Sequence, residues 1–307
     1  MTHWNILYRG SLSSCNYACG YCPFAKTRNT PAELASDAEQ LARFIAWVRG
    51  RKQSIGVLFT PWGEALIHRA YQRAIAELSH FPNVRRVAIQ TNLSCQLDWL
   101  ADCDRSTAAL WATWHPTQAP LERFVAQCRR LDELGVRYSV GVVGLREVLA
   151  DIERLRARLP RHVYLWVNAW KREAGYYGDA EIRRIERVDP FFRLNTVRHR
   201  SHGLPCRTGS SVFSVNGDGD LRRCHFIPQL LGNIYEPGFE RALVPRPCTN
   251  ETCGCHIGYV HLEPLDLYAR FGDGVLERIP RGWPDRNPLA NAARPPGGNI
   301  SSVSHPR

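Results

Sequence analysis

Three cysteines fall within the short stretch "SSCNYACGYCPF": Cys15, Cys19 and Cys22, spaced C-x3-C-x2-C directly after the apolar run "WNILY". A disulfide framework needs an even number of thiols in a secretory setting. A structural zinc site usually brings two close pairs. Three thiolates at this spacing suit a 4Fe–4S cube, because they can hold three irons and leave the fourth open for chemistry. A second set, Cys206, Cys224, Cys248, Cys253 and Cys255, lies far down the chain. It surrounds "SVFSVNGDGDLRRCHF", which reads as a β-hairpin turning at Asn216-Gly217-Asp218-Gly219. Cys95, Cys103 and Cys128 belong to neither set; they lie beside or within helical segments and are expected to pack in the core.

The elements that must carry these residues follow a regular rhythm. Six β-branched runs, 4–8, 54–60, 84–91, 108–114, 136–143 and 162–168, alternate with helical candidates at 31–49, 66–79, 119–134 and 145–158. Shorter pieces at 97–101 and 178–188 fill the remaining helical slots less clearly. Strands separated by helices imply βαβ crossovers and a parallel sheet. Six units predict an α/β fold, a partial (β/α)6 TIM-like barrel with its site at the C-terminal ends of the strands. Candidate motifs sit there: "FTPWGEAL" after the second run, "QTNLS" ending the third, "TWHPT" ending the fourth and "VGVVGLRE" on the fifth. The rhythm stops near residue 190. We divide the chain into a barrel at 1–190, an iron–sulfur hairpin module at 191–282 and a Pro/Gly/Asn/Ser-rich tail at 283–307, whose composition predicts disorder.

Composition narrows the function classes. The 307 residues are 44% hydrophobic and 22% charged, enough for a sizeable core in one large domain, or one domain plus an appendage. No apolar run reaches signal-peptide or membrane-span length, so no membrane partner is expected. Eleven cysteines without an export signal point to a reducing compartment, the cytoplasm, where thiols bind metal or react. The net charge is +11, but the arginines are scattered among acidic residues. That pattern argues against nucleic acid as the partner, which calls for a basic run or stripe.

C-x3-C-x2-C after a first strand, with Tyr21 just before the last cysteine, resembles the radical S-adenosylmethionine (SAM, AdoMet) superfamily from about residue 4 to 260. On spacing alone the alternative is a redox-sensing or zinc cluster. The resemblance implies a 4Fe–4S cluster on Cys15, Cys19 and Cys22 whose open iron binds AdoMet, with one-electron cleavage giving a 5′-deoxyadenosyl radical. Tyr21 is then expected against the adenine. Gly63 and Glu64 match the family's Gly-Gly-Glu motif for the AdoMet ammonium, with Trp62 in place of the first glycine. Thr91 and Asn92 are expected at the ribose or carboxylate, with Thr113 and His115 on the next strand. Val142 is expected on the adenine, in a stretch where Val140 replaces the family's first glycine and Gly144 and Glu147 align. For Thr91, His115 and Asn168 singly, a structural role at a strand end is equally consistent.

The later cysteines resemble the twitch and SPASM auxiliary-cluster modules, in which a cysteine, a hairpin and a G-x4-C follow one another. Five cysteines suffice for one auxiliary 4Fe–4S cluster, the twitch arrangement. The resemblance implies Cys206, Cys224, Cys253 and Cys255 as its ligands and leaves Cys248 over. A ligand role for Cys248, with Cys253 or Cys255 spare, stays open. A spare thiol beside a radical site can return a hydrogen atom, as understood for twitch-type epimerases of aminoglycoside biosynthesis. The expectation is therefore an epimerase acting on an aminoglycoside-like sugar, with Cys248 as catalytic hydrogen donor and a flavodoxin or ferredoxin-type reductant as partner. Alternatives are a radical SAM dehydrogenase of an aminocyclitol or sugar, a peptide-modifying maturase, or a non-catalytic iron–sulfur electron carrier or sensor. A polycationic substrate calls for carboxylates, and Glu173, Asp179, Glu263 and Asp266 are candidates. His225 and His256, beside Cys224 and Cys255, are expected to support or pack rather than ligate.

Overall fold

The computed structural model describes residues 3–24 and 27–284. Residues 285–307, most of the expected disordered tail, lie outside them. Six parallel strands, β1 (His3–Arg9), β2 (Ser54–Phe59), β3 (Val84–Thr91), β4 (Ala108–Trp114), β5 (Arg137–Val143) and β6 (Leu165–Asn168), pair in sequential order. Helices α1 (Pro31–Arg49), α2 (Arg69–Ser79), α3 (Leu121–Leu134), α4 (Leu149–Arg158) and α5 (Asp179–Glu186) connect or follow them. Only a 3₁₀ turn at Asp98–Asp102 fills the slot between β3 and β4, where the sequence signal was weakest. The fold is mixed α/β around a central parallel sheet, and among the described residues the sheet does not close on itself. Among the described residues no helix is long and apolar enough to cross a membrane.

After the short helix α6 (Phe192–Asn195) come β7 (His199–Arg200) and β8 (Pro205–Cys206), then the hairpin β9 (Val212–Asn216) and β10 (Asp220–Arg222), followed by β11 (Leu230–Asn233). The hairpin turns where the sequence predicts: Gly219, at φ +89°, donates its N–H to Asn216. Strand β9 pairs in parallel with the free edge of β1, Asn5 opposite Val212 through Arg9 opposite Asn216, so one nine-stranded sheet runs from β11 to β6.

Side chains alternate across the strands, as the pleat requires. Ile6 and Tyr8, Val57 and Phe59, Val87 and Ile89, and Val140 and Val142 face the helices and pack on Leu41, Phe44, Ile75, Phe124 and Leu155. Leu7, Leu58, Ala88, Ala109, Trp111 and Trp166 face the concave side. The C-terminal segment fills that side: α7 (His256–Tyr259) and α8 (Leu267–Phe271) bring Ile257, Leu267, Phe271, Val275 and Leu276 against them. Buried Glu277 anchors the plug through ion pairs with Arg137 (2.6 Å) and Arg86 (3.4 Å). Room for the tryptophans is made by β5. A Cβ on Gly141 would lie 2.0 Å from the Trp166 indole, so that position takes glycine only.

Candidate active site

Thr30 and Glu33 form a capping box that starts α1 immediately after the first cysteine loop. Asp37, one turn further on, accepts from the backbone N–H groups of Ser11 (2.7 Å) and Leu12 (3.1 Å). The loop is thereby tied to a helix that packs on the barrel. The motif after β2 closes on the same loop. Glu64 donates its N–H to the Ser14 carbonyl (3.2 Å), and a Cβ on Gly63 would fall 1.6 Å from that oxygen. The glycine of the Gly-Glu pair is thus required by close packing of two backbones.

Glu64 itself is 2% exposed. Its carboxyl accepts from the Leu66 N–H (3.1 Å), the Thr91 hydroxyl (2.7 Å) and the Asn92 N–H. Burial nevertheless pushes it up to about 7, because three donors do not replace water around an anion. A buried carboxyl so disposed fits a cationic partner. Leu93, at φ +58°, makes the turn that aims Asn92 back at the loop. The Asn92 side-chain amide donates to Asn16 Oδ1 (2.9 Å) and lies 3.8 Å from Cys15 Sγ. Thr91, read from the sequence as a cofactor contact, uses its hydroxyl to hold Glu64. His115 Nδ1 lies 2.7 Å from the Tyr21 hydroxyl and 3.4 Å from Cys19 Sγ, and burial lowers it to about 4.

These groups wall an open cavity of about 280 Å³. Cys15, Cys19 and Cys22 line it together with Gly63, Glu64, Thr91, Asn92, Thr113, His115 and Asn168. Tyr21 reaches it only through His115. Val142 does not reach it at all: it is fully buried on the helix side, and Val143, one residue on, lines the cavity instead. A one-residue shift on a strand moves the side chain to the other face. None of Glu173, Asp179, Glu263 and Asp266 lines the cavity either. The expected carboxylates for a polycation are absent from its described wall, where Glu64 is the only acidic side chain.

Cys206, Cys224 and Cys248 of the second cysteine set are buried in one packed cluster on the concave side, with Cys253 against it. Strand β12 (Arg246–Pro247) pairs with β8, Cys248 donates its N–H to Leu204 (2.9 Å), and β13 (Thr252–Cys253) pairs with β7. These short ladders hold the four thiols near one another. Burial and then the neighbouring thiols Cys224, Cys255, Cys248 and Cys206 push Cys253 up to about 12. Cys255 is more exposed than Cys206, Cys224, Cys248 and Cys253; it neighbours Cys253 and also lines the cavity. Desolvation raises its thiol, while the Ile257 N–H and then Lys171, Arg278 and Arg9 pull it back. Cys248 thus packs with Cys206 and Cys224, while Cys255, a neighbour of Cys253, also faces the first cysteine loop's cavity, the position open to a spare thiol. After Cys253 the ladder stops and α7 begins, with Cys255 just before it at the cavity wall.

Among the described residues no three Cys, His, Asp or Glu side chains converge closely enough for a single metal ion. Cys95, Cys103 and Cys128 are buried in the helix-side core, as expected. His225 lies 2.8 Å from the Thr60 hydroxyl and links the hairpin to β2. His256, 3.3 Å from the Tyr259 hydroxyl through Nδ1, also lines the cavity.

No family model and no curated protein matches the chain in sequence. Solved structures do match its fold. Native anSMEcpe with bound AdoMet, an anaerobic sulfatase-maturating radical SAM enzyme, aligns with a TM-score of 0.52 at 13% identity, covering 78% of this chain and 83% of that one. The same protein with AdoMet and the Kp18Cys peptide gives 0.50 at 12% identity over 78% and 82%. BtrN in complex with AdoMet and 2-DOIA gives 0.32 at 16% over 78% and 87%, too low to carry weight. The chain shares the fold of the sulfatase-maturating radical SAM enzyme.

Proposed function

We propose that a chain with this fold and this cavity is a radical SAM epimerase in which Cys255, rather than Cys248, returns the hydrogen atom. The observation that carries the reading is that Cys15, Cys19, Cys22 and the separate thiol of Cys255 all line one cavity. Cys15, Cys19 and Cys22 would hold the AdoMet-binding 4Fe–4S cluster; Cys206, Cys224, Cys248 and Cys253 would hold an auxiliary one. When bound, the first cluster and AdoMet supply one-electron chemistry that ends in removal of a hydrogen atom from the substrate.

The chain's own residues do the rest. Ionised Glu64, held by Thr91 and Asn92, pairs with the AdoMet ammonium. Asn168 and Thr113, at strand ends, present polar groups to the bound molecules. Trp111, Trp166 and Ile257 exclude water from the opposite wall. The Cys255 S–H bond breaks and a C–H bond forms on the substrate's other face, which inverts the carbon and leaves a thiyl radical. One electron from a flavodoxin- or ferredoxin-class donor and one proton from water restore the thiol. The resemblance supplies an aminoglycoside-like sugar as substrate. The cavity wall argues for a sugar-sized molecule without a cluster of amines facing it.

The test is anaerobic turnover of a sugar panel with AdoMet and reductant in D2O, using wild type, Cys255→Ala and Cys248→Ala. Cys255→Ala should keep its iron and its AdoMet cleavage and lose solvent-deuterium incorporation. Cys248→Ala should lose about half of the iron. Inverted product from Cys255→Ala, or loss of iron in it, would sink the assignment. An oxidised product carrying no solvent deuterium would move the reading to the dehydrogenase.

A further inference from the structure

The cavity floor carries a cation that the proposed hydrogen transfer does not use. Arg278 rises from the plug segment, is 3% exposed, and lines the cavity. Its guanidinium carbon stands 4.4 Å from the Trp166 ring centroid and 5.6 Å from that of Trp111, two indoles packed edge to face at 5.4 Å. Its Nε is buried with no hydrogen-bond partner, and among the described residues no carboxylate lies within ion-pair distance of it. Glu277, next to it in sequence, pairs with Arg137 and Arg86 instead, and buried Asp189 feels the Arg278 charge without forming an ion pair with it. The backbone at Arg278 holds φ +54°, a conformation that a long side chain rarely adopts without compensation. His256, packed edge to face on the same Trp111, keeps a second buried nitrogen, Nε2, without a partner.

A buried arginine is ordinarily paired. Cation–π contact offsets part of its desolvation but leaves the planar N–H fork unused. That fork matches an oxygen acid in two parallel hydrogen bonds. Lys171 and Arg9, which act on Cys255 alongside Arg278, add positive potential at the same end of the cavity. Lys171 donates to Asn195 (2.6 Å) and Arg9 to the Thr60 carbonyl (2.8 Å), so Arg278 is the one of the three whose side chain has no acceptor among the described residues.

We propose that Arg278, with His256 beside it, binds an anionic group of the substrate, a carboxylate or a phosphate, and so sets which face of the substrate meets Cys255. This rests on the reading of Cys255 as a free thiol in the cavity. It replaces a polycationic substrate with an acidic one.

The test uses the reconstituted two-cluster holoenzyme. Cys255 is alkylated with iodoacetate and with iodoacetamide, each rate divided by that of a free thiol, and the Cys255 peptide is quantified by mass spectrometry. Wild type should prefer the anionic reagent by about tenfold or more, and saturating AdoMet should leave that preference intact. Arg278→Gln should abolish it, and Arg278→Lys should keep a small part. Independently of the thiol, equilibrium dialysis with labelled acetate and labelled phosphate should show binding to wild type that Arg278→Gln loses. The tighter of the two then names the group. Equal alkylation rates, a preference surviving in Arg278→Gln, or no binding of either anion overturns the proposal. Loss of the preference on adding AdoMet would give Arg278 to the AdoMet carboxylate, and loss of iron in Arg278→Gln would give it to the auxiliary cluster; both overturn it. Failure of both reagents to label Cys255, with anion binding still dependent on Arg278, would sink the hydrogen-donor reading and leave the anion site standing.

Discussion

Glu64 offers a pH-dependent test of the AdoMet site. Its carboxyl is raised from the ordinary value to about 7 by burial, against three hydrogen bonds that favour the anion. Raised in the folded state, it contributes stability that is fully present below about 4.5 and is lost as pH rises through about 7. Cation binding runs the other way, because only the ionised carboxylate pairs with an ammonium. With a value of about 7, roughly a tenth of the carboxyl is ionised at pH 6 and about half at pH 7, so AdoMet affinity should rise about fivefold over that unit. The AdoMet α-amino group, near 7.7–8.0 in free amines, stays largely protonated there. Burial lowers His115 to about 4 and holds His256 well below the usual imidazole range, so neither lining histidine titrates in the window. Glu64→Gln should weaken AdoMet binding at pH 7 by about 1.5–3 kcal/mol, roughly 10- to 150-fold. It should also flatten the pH dependence, with iron content unchanged. Anaerobic equilibrium binding at pH 6 and pH 7 on both proteins reads all of this. An unchanged fivefold slope in Glu64→Gln would refute the argument even if affinity fell.

Replacing Cys15, Cys19 and Cys22 together by alanine should halve the iron of the reconstituted protein, from about eight to about four per chain, and abolish reductive AdoMet cleavage; iron analysis and product chromatography check both. Gly63→Ala would drive a methyl into the Ser14 carbonyl, a displacement worth about 1–3 kcal/mol or more of destabilisation. It should loosen the first cluster and spare the second, visible as selective iron loss on mild chelation.

Much of the barrel was legible because parallel strands covered on both faces read as uninterrupted β-branched runs, and their helices carry the 3.6-residue stripe. All six strands fall where those runs lie. The first cysteine loop and the Gly-Glu pair were legible for a different reason: the chemistry demands side chains at adjacent positions, and adjacency is visible in sequence. Val142 shows where legibility ended. Both faces of β5 are apolar, so no alternation marks which valine points outward, and register against β4 and β6 decides for Val143. Arg278 left no signal at all. It is one arginine among many, and only the packing of 267–280 into the concave face brings it beneath Trp111 and Trp166.

The positions of Cys248 and Cys255 have a topological cause. Strand β1 leads directly into the first cysteine loop, and β9 pairs in parallel with the same strand, Leu7 opposite Ser214 and Tyr8 opposite Val215. Both cysteine sets are therefore placed by one strand. Cys206 precedes β9, and Cys224 follows β10, so both emerge beside it on the concave side. Cys248 and Cys253 reach them through ladders to the flanks of β8 and β7, which fix backbone position before any metal is considered. After Cys253 no ladder continues. Gly254 packs on the Arg198 side chain, α7 starts at His256, and Cys255, between them, turns to the cavity. The strand ends between two cysteines two residues apart, so Cys253 stays on its ladder while Cys255, still its neighbour, also reaches the cavity.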